Sequence, residues 1–293
     1  MRLKKPLQKG AEFIADVQCE PREDGTFRLW WLGQSGFLVQ WNRRHLLLDP
    51  YLSDSLTRKY AATGKPHVRM TELVIAADAL DFVDLVTSSH NHTDHLDGDT
   101  LRPLMRVNPN LKMVIPEANR AFVADRLGCD TDWPIGLTDG QSVTVADFTI
   151  VGIPASHETL ETDDEGRHRF MGYVVRFGQW SIYHSGDTML YKGMVERLRP
   201  WQVDVALLPI NGCDPVRRVA GNLSGQQAAQ LAYDIGARLV IPCHYDMFTF
   251  NTAPPGSFVS ACGALGQSCQ VLENGEGWNS ALLAACRSVI SRQ

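Results

Sequence analysis

The sequence predicts an α/β protein built as a four-layer αβ/βα sandwich, in which two β-sheets pack together between outer helices. Three observations lead to this prediction. The chain has 293 residues, enough to bury a large core. Strand-like and helix-like segments alternate along it, and each half begins with β-hairpins and continues with βαβ units. Neither a repeat nor a linker divides the chain, so we expect residues 1–293 to form a single domain.

The beginning of the chain carries a β-hairpin pattern. Residues 1–26 have few periodic apolar positions and are expected to wrap around the surface. Strands are predicted at 27–32, 37–41 and 46–48. Residues 33–36 mark the turn between the first two strands. Residues 53–70 are polar, basic and interrupted by glycine and proline, which indicates a long loop of the kind that usually has a function.

A βαβ unit follows the hairpins. A strand ends near Ser88, a helix is predicted at 99–107, and a strand at 113–115 completes the unit. A second helix at 117–127 carries three apolar residues at helical spacing.

The second half repeats this order of elements. Its predicted strands are 143–145, 148–153, 173–177, 180–184, 203–210, 238–241 and 271–272. Helices are predicted near 191–198 and 224–235, the latter with a cap in the segment Asn222-Leu223-Ser224, and another from about Trp278. The charged residues 160–169 are expected to form an exposed turn.

The composition argues against several classes of partner. Its basic and acidic residues give a net charge of 28 − 33 = −5, which disfavours nucleic acid as the main partner. Apolar runs are strand-length, far short of the ~20 residues that span a bilayer, so we expect no membrane partner. No apolar segment follows the basic first residues, so no export signal is expected. Seven scattered cysteines without a CxxC pair indicate reduced thiols and a cytoplasmic location.

The strongest functional signal is an HxHxDH motif formed by His90, His92, Asp94 and His95. The motif follows an apolar strand and precedes a helix. Its alternating histidines can present imidazoles from one side of an extended backbone, and the next turn brings Asp94 and His95 to a neighbouring point. Imidazole and carboxylate groups suit zinc and other divalent metals. Two metals about 3.5–4 Å apart could share a bridging hydroxide. Such a cluster is far more specific than a single histidine, which is most often structural.

In this motif the sequence resembles the metallo-β-lactamase superfamily, and three later segments agree with the order of that family's ligands. Each segment follows an apolar strand: 153–157, 183–187 and 241–244. The resemblance implies one divalent metal held by His90, His92 and His157. It implies a second metal held by Asp94, His95 and His244, with Asp187 as the bridge between the two.

Two further residues near these segments are candidates for a role in the site. Asp49 ends a strand where the family has an aspartate that supports the metal ligands, although capping of the turn before Pro50 is an alternative. His184 stands beside the implied bridging aspartate and could contact the substrate, and a hydrogen-bonded structural histidine is an equal alternative. The candidate catalytic residues are Asp94 and His184.

Within the superfamily, several segments are similar to the L-ascorbate-6-phosphate lactonase branch. They are residues 30–36, 183–188, 203–208 and 242–248. The similarity extends over roughly residues 28–250. It implies a cytoplasmic homo-oligomer that opens a sugar-type lactone with one or two divalent metals per chain, Zn²⁺ or Mn²⁺. The chain is shorter than that lactonase, and its loops 53–70 and 211–218 are distinctive, so the resemblance supports the chemistry more strongly than the substrate.

Basic residues in these loops point to a small anionic substrate, because guanidinium and ammonium groups suit phosphate or carboxylate. The candidates are Arg58, Lys59, Lys65, Arg69, Arg217 and Arg218. For each of them, a solvated surface charge is the more common explanation.

The expected reaction is attack of a metal-bound hydroxide on the carbonyl of an ester or lactone. Asp94 would orient the hydroxide or take its proton, and His184 would donate to the developing oxyanion. The main alternative is a phosphodiesterase or phospholipase-type hydrolase on the same site. A redox enzyme is disfavoured because the diiron branch has glutamate in place of His92 and needs an added flavin domain. A non-enzymatic metal-binding or sensor protein is disfavoured by the complete ligand set.

Overall fold

Two β-sheets form the centre of the protein, whose computed structural model describes residues 2–19, 25–214 and 221–283. The strands of the first sheet are β1 (Arg28–Gly33), β2 (Gly36–Trp41), β3 (Arg44–Leu48), β4 (Leu85–Thr87), β5 (Lys112–Pro116), β6 (Ile135–Leu137) and β13 (Gly277–Asn279). They lie in the order β13-β1-β2-β3-β4-β5-β6. The hairpin strands β1 to β3 pair antiparallel, whereas β3 to β6 pair parallel.

The second sheet has the same sequence of antiparallel and then parallel pairing. Its strands are β7 (Ser142–Val145), β8 (Phe148–Pro154), β9 (Met171–Phe177), β10 (Trp180–His184), β11 (Val205–Pro209) and β12 (Leu239–Cys243). They lie in the order β12-β11-β10-β9-β8-β7. Strands β7 to β10 pair antiparallel, and β10 to β12 pair parallel. The predicted repetition of hairpins and βαβ units in the two halves is therefore confirmed.

Helices cover the outer faces of both sheets. They are α1 (Ala11–Gln18), α3 (Gly98–Val107), α4 (Arg120–Leu127), α5 (Met194–Leu198), α6 (Gly225–Asp234) and α7 (Gly256–Leu265), whereas α2 (Ser55–Tyr60) packs against Tyr51, Met247 and Phe248. The predicted cap of α6 is present, because Ser224 accepts from the backbone of Gln227 and the Gln227 side chain accepts from the backbone of Ser224. In the described residues, no helix combines the length and apolarity needed to cross a bilayer.

Alternation of side chains along the strands of the first sheet fills a core on each of its faces. In β1, Leu29 and Trp31 pack between the two sheets, whereas Trp30 and Leu32 pack under α1, α3 and α4. A strand that is buried on both faces needs a continuous apolar run, which explains why these segments do not show the polar alternation of a half-exposed strand. Helix, sheet, sheet and helix thus form the four predicted layers.

The parallel strands of both sheets end toward one edge, where the loops carry the polar residues predicted for the site. Asp49 follows β3, the HxHxDH segment follows β4, Asp187 follows β10, and His244 follows β12. Loops at the carboxyl ends of parallel strands are the usual place for ligands in α/β proteins. The fold therefore brings segments that are far apart in sequence to one place.

Several element predictions for the early part of the chain were wrong. Residues 1–26 contain α1, which a sequence pattern hardly reveals because only Phe13 and Val17 are buried. The segment 53–70 is not a continuous loop, since it contains α2, whose one buried residue is Leu56. The predicted helix 117–127 starts as a 3-10 turn, and α4 begins only at Arg120.

The end of the chain also differs from the prediction. Residues 277–279 form strand β13, which pairs with β1, so the helix predicted from about Trp278 begins only at residue 281, and the rest of it lies outside the described residues. Residues 271–272 were predicted as a strand but lie outside the strands of either sheet. Short edge elements such as β6 and β13 owe their conformation to pairing with a neighbour, which three residues of sequence do not encode.

Candidate metal centre

The HxHxDH segment forms a tight loop between β4 and α3. Leu96 anchors the loop in the core, and Asp97 caps α3 by accepting from the Asp99 backbone and from Thr100 Oγ1 at 2.6 Å. The two residues that directly follow the motif are thus fixed, one by packing and the other by capping. This leaves the side chains of the motif to project toward the second sheet.

One group of ligand-type atoms is contributed by both sheets. Its members, whose ligand atoms lie within 4.8 Å of one another, are His90, His92, His157 and Asp187. The imidazole ring of His90 lies 4.6 Å from that of His92 and 5.5 Å from that of His157, measured between ring centroids. The group contains the three histidines that the resemblance assigned to one metal.

A second group adjoins the first and contains the residues assigned to the other metal. Its members, also with ligand atoms within 4.8 Å of one another, are Asp94, His95 and His244. His244 Nε2 lies 3.6 Å from Asp94 Oδ2. Asp187 reaches both groups, because its carboxylate oxygens lie 3.2 Å from His95 Nε2, 3.5 Å from His244 Nε2 and 4.0 Å from His157 Nε2.

The centre contains buried polar atoms that no protein group satisfies. His90 Nε2, His95 Nε2 and Asp187 Oδ1 are buried and make no hydrogen bond of good geometry, although the last two atoms lie 3.2 Å apart. Unpaired polar atoms are costly in a protein interior, and several of them converging on one point require an explanation. Divalent metals fit this arrangement, since neutral imidazole nitrogens and a carboxylate oxygen are their usual ligands.

The opposite nitrogens of these histidines have protein partners. His157 Nδ1 donates to the Gly221 carbonyl oxygen at 2.7 Å, and His95 Nδ1 donates to Asp49 Oδ2 at 2.7 Å. His90 Nδ1 lies 3.0 Å from Ser89 Oγ. Such contacts fix the tautomer, so that Nε2 of each ring carries the lone pair that a metal needs.

Charge interactions in the centre are strong because most of its groups are buried. Burial lowers the pKa of His90 well below its usual value, and the neighbouring His95 and His92 lower it further. Burial also opposes charge on His244, but Asp187 and Asp94 raise the pKa of His244 to about 9. Burial would raise the pKa of Asp94, but His95 and His244 hold it well below its usual range. Without a metal, the proton on His244 therefore supplies part of the positive charge that a metal cation would place beside Asp94 and Asp187.

The structure does not bring His184 to the surface of the site. Its side chain lies at the end of β10, is 1% exposed, and its Nε2 donates to the Ser35 carbonyl oxygen at 2.9 Å. Burial lowers the pKa of His184, which favours the neutral ring. The geometry corresponds to the hydrogen-bonded histidine that was the alternative in the sequence analysis.

The metal centre lies at the bottom of a cavity of about 470 Å³. The wall opposite the centre comes from α2 and the loop after it, with Lys59, Tyr60, Lys65 and His67. Phe250 and Asn251 line the cavity after β12, and Phe122 and Arg126 line it from α4. His92 is exposed and Asp94 is 13% exposed in its side chain, so both face this opening.

The predicted anion contacts divide into two kinds. Lys59 and Lys65 line the cavity, and Lys59 Nζ donates to Thr93 Oγ1 at 3.2 Å. Arg58 instead makes an exposed ion pair with Asp99, whereas Arg69 is 7% exposed and donates to Asp54 Oδ1 at 2.6 Å, so that Arg69 has a structural role. Arg217 and Arg218 lie outside the described residues.

Three residues near the centre were not identified from sequence. Phe170 packs against the rings of His90, His92 and His157, with centroid distances between 5.0 and 5.9 Å. Arg126 donates to the carbonyl oxygens of Asn91 and Leu96 and so braces the motif loop. Gln34 contacts Asp94 and His244. Gln34 lies in the segment 30–36 that is similar to the lactonase branch, but neither this similarity nor any local pattern assigned a role to the three residues, because they reach the site through tertiary packing.

Comparisons with known proteins are consistent with this geometry. A family model described as a Beta-lactamase superfamily domain matches residues 44–245. A UPF0173 metal-dependent hydrolase of Opitutus terrae is 31% identical over 254 residues, which cover 85% of this chain and 98% of that protein. A second UPF0173 metal-dependent hydrolase, from Hyperthermus butylicus, is 30% identical over 227 residues, which cover 77% of this chain and 86% of that protein.

Solved structures share the same fold. A metallo hydrolase of Ignicoccus hospitalis is 25% identical and covers 87% of this chain and 98% of that one, with a TM-score of 0.63. The metallo-β-lactamase fold protein YhfI of Bacillus subtilis is 18% identical, and the match covers 87% of this chain and 99% of that one, with a TM-score of 0.62. These matches confirm the predicted sandwich; none of them singles out the lactonase branch, which stays a prediction.

Proposed function

The chain belongs to the β-lactamase superfamily. We propose that it is a metal-dependent hydrolase whose substrate is a small anionic lactone or ester. The observation that carries the proposal is the pair of adjoining ligand groups at the bottom of an open cavity. A purely structural metal site is closed by protein ligands, whereas catalysis requires access for substrate and water.

The residues of the two groups would hold the metals. Divalent metals bound there would lower the pKa of a water molecule and polarise a substrate carbonyl. Asp94 is suited to orient that water, because its carboxylate faces the cavity. It is less suited to keep a proton, since His95 and His244 hold its pKa far below neutrality. Phe170, which is half-buried, packs against the ring of His90 and helps to keep that ring in place.

The charge of the cavity supports an anionic substrate. Lys59, Lys65 and Arg126 line it, and the only carboxylates among its described lining residues are Asp94 and Asp187 of the metal centre. Tyr60, Phe122 and Phe250 add apolar surface. Such a wall can bind a carboxylate or phosphate group while the reacting carbonyl lies over the metals.

The same wall also favours a second candidate function. A basic, partly aromatic groove beside a dinuclear centre suits a phosphodiester, whose phosphate would contact the metals directly. The alternative is therefore a phosphodiesterase on the same ligand set. The substrate distinguishes the two functions.

The test is a substrate panel with protein reconstituted separately with Zn²⁺ and Mn²⁺. We expect hydrolysis of anionic lactones or esters, and a loss of about a hundredfold or more in Asp94→Ala and His92→Ala. Asp99→Ala is the matched control, because it removes a nearby carboxylate that pairs with Arg58 and Arg102 instead. Hydrolysis of phosphodiesters alone would exclude the lactonase, and full turnover by metal-loaded Asp94→Ala would exclude the mechanism.

A further inference from the structure

Gln34 occupies the turn between β1 and β2, directly beside the Asp94–His95–His244 group. Its residue is 2% exposed, and its backbone φ is +51°, in the left-handed region that residues other than glycine rarely adopt. Such conformations persist only where surrounding contacts fix them, and they are frequent at functional sites. The contacts of Gln34 therefore indicate which groups its backbone conformation brings together.

The backbone carbonyl of Gln34 connects this turn to the second sheet. It accepts a hydrogen bond from the backbone N–H of His244 at 2.9 Å and another from Trp31 Nε1 at 3.0 Å. His244 follows the last residue of β12 and has a φ of +65°. The peptide that carries this ligand-type histidine is thus fixed to the opposite sheet through Gln34.

The side chain of Gln34 contacts the same group a second time. Its Nε2 donates to Asp94 Oδ2 at 2.9 Å and lies 3.1 Å from His244 Nε2. A carboxylate oxygen only accepts, so the amide N–H of Gln34 donates to Asp94, while His244 is held through its backbone. The other group is supported differently, by Ser89 Oγ at His90 and by the Gly221 carbonyl at His157.

We propose that Gln34 is a positioning residue that selectively sets the metal affinity of the Asp94–His95–His244 half-site. The proposal rests on the proposed function, since it concerns the same centre. Gln34 holds Asp94 through its amide and His244 through its backbone, which keeps two of the three ligand groups together before a metal enters. Loss of the amide frees Asp94 to turn away, so this half-site binds metal more weakly while the other is unchanged.

The test compares Gln34→Met with Gln40→Leu as the matched control. Gln40 is also a buried glutamine, but its amide donates to the Val17 carbonyl at 2.9 Å, away from the centre. Chelator-stripped proteins are titrated with ZnCl₂ by calorimetry and with MnCl₂ by electron paramagnetic resonance. We expect Gln34→Met to bind one of two metals about tenfold to a hundredfold more weakly. Its manganese spectrum should be that of isolated rather than coupled ions.

Two further variants identify the half-site that is affected. His157→Ala disables the other half-site, and adding Gln34→Met to it should weaken the remaining metal. In His244→Ala, adding Gln34→Met should change nothing, because the affected half-site is already lost.

Gln34→Asn keeps the amide but shortens its reach, so the metal affinity of this variant should lie between those of the wild type and Gln34→Met.

The outcomes separate this proposal from the proposed function, because the titrations contain no substrate. Unchanged affinity for both metals in folded Gln34→Met or Gln34→Asn, or equal weakening of both half-sites, would overturn the role of Gln34. A wild-type protein that binds two metals but hydrolyses no member of the panel would overturn only the proposed function. Absence of metal binding by the wild type would overturn both.

Discussion

Asp49 and His95 are both fully buried and are joined by a hydrogen bond of 2.7 Å between Asp49 Oδ2 and His95 Nδ1. Asp49 also accepts from the Ser89 backbone at 3.0 Å and from Thr87 Oγ1 at 3.1 Å. The backbone φ of Asp49 is +40°, in the left-handed region that residues other than glycine rarely adopt. The pair thereby directs His95 Nε2 toward Asp94 and Asp187, which is the orientation a metal ligand requires.

From this relationship we predict that Asp49→Asn weakens metal binding by about tenfold to a hundredfold. An amide keeps the shape of the carboxylate but loses its negative charge, so it supports the basicity of His95 less well. Calorimetric titration of the stripped protein with Zn²⁺ measures the effect. Asp204→Asn is the control, because Asp204 is buried in the second sheet and pairs with Arg238. Equal metal affinities for the two variants would contradict the prediction.

The pKa of His244 leads to a prediction about pH. In the metal-free protein this pKa is raised from 6.5 to about 9, because Asp187 and Asp94 outweigh the effect of burial. The protonated ring therefore contributes stability that is complete below a pH of about 6.5 and is lost as the pH rises through about 9. Thermal unfolding of stripped protein should show this loss, and His244→Gln should not.

Metal binding should show the opposite dependence on pH. A ligand must be deprotonated to bind a metal, so the metal displaces the proton of His244 and its affinity rises up to a pH of about 9. Calorimetry in two buffers of different ionisation enthalpy counts the protons released. Affinity that is constant over this range would show that His244 is not a ligand.

The cationic wall gives a prediction about substrate charge. Lys59→Met should raise KM for an anionic substrate by about twofold to fivefold, the modest effect expected of an exposed charge pair. The kcat should stay unchanged, since Lys59 contacts Thr93 and none of the ligand groups. Steady-state kinetics with an anionic substrate and its neutral analogue checks this. Lys112→Met, at the start of β5, is the control; a loss equal for both substrates would argue against a charge effect.

The sequence predicted the centre better than it predicted its surroundings. His90, His92, Asp94 and His95 could be assigned together because their chemistry is concentrated in one short loop. His157, Asp187 and His244 are single residues at strand ends, and only the resemblance to a family connected them. The structure now places all seven in two adjoining groups.

One physical reason explains why the sequence did not reveal the remaining residues of the site. Gln34 and Phe170 are ordinary residues whose roles come from where the chain folds back. Helix α2 was missed because an amphipathic pattern needs more than the single buried residue it offers. His184 was considered for a substrate contact because it precedes Asp187 so closely. His184 is the last residue of β10, however, and its ring is buried and bonded to the Ser35 carbonyl oxygen.

Gly186 provides a final prediction that tests the position of Asp187. Its φ is +58°, and a Cβ atom there would lie 2.6 Å from Ser89 Cβ and 3.0 Å from the Met171 carbonyl oxygen. Gly193 has a φ of +87° but nothing within 4 Å of its Cβ position. Both alanine variants should lose about 1–2 kcal/mol from the left-handed backbone. Gly186→Ala should lose more, because its clash displaces the adjacent peptide.

Only one of these two variants should change metal binding. The displaced peptide in Gly186→Ala carries Asp187, whose oxygens reach both ligand groups, so both metals should bind more weakly. Gly193→Ala should bind metal as the wild type does, although its unfolding free energy is lower. Chemical denaturation measures the stability, and titration with Zn²⁺ measures the affinity. If both variants lost metal in proportion to their stability, Asp187 would have no special place in the centre.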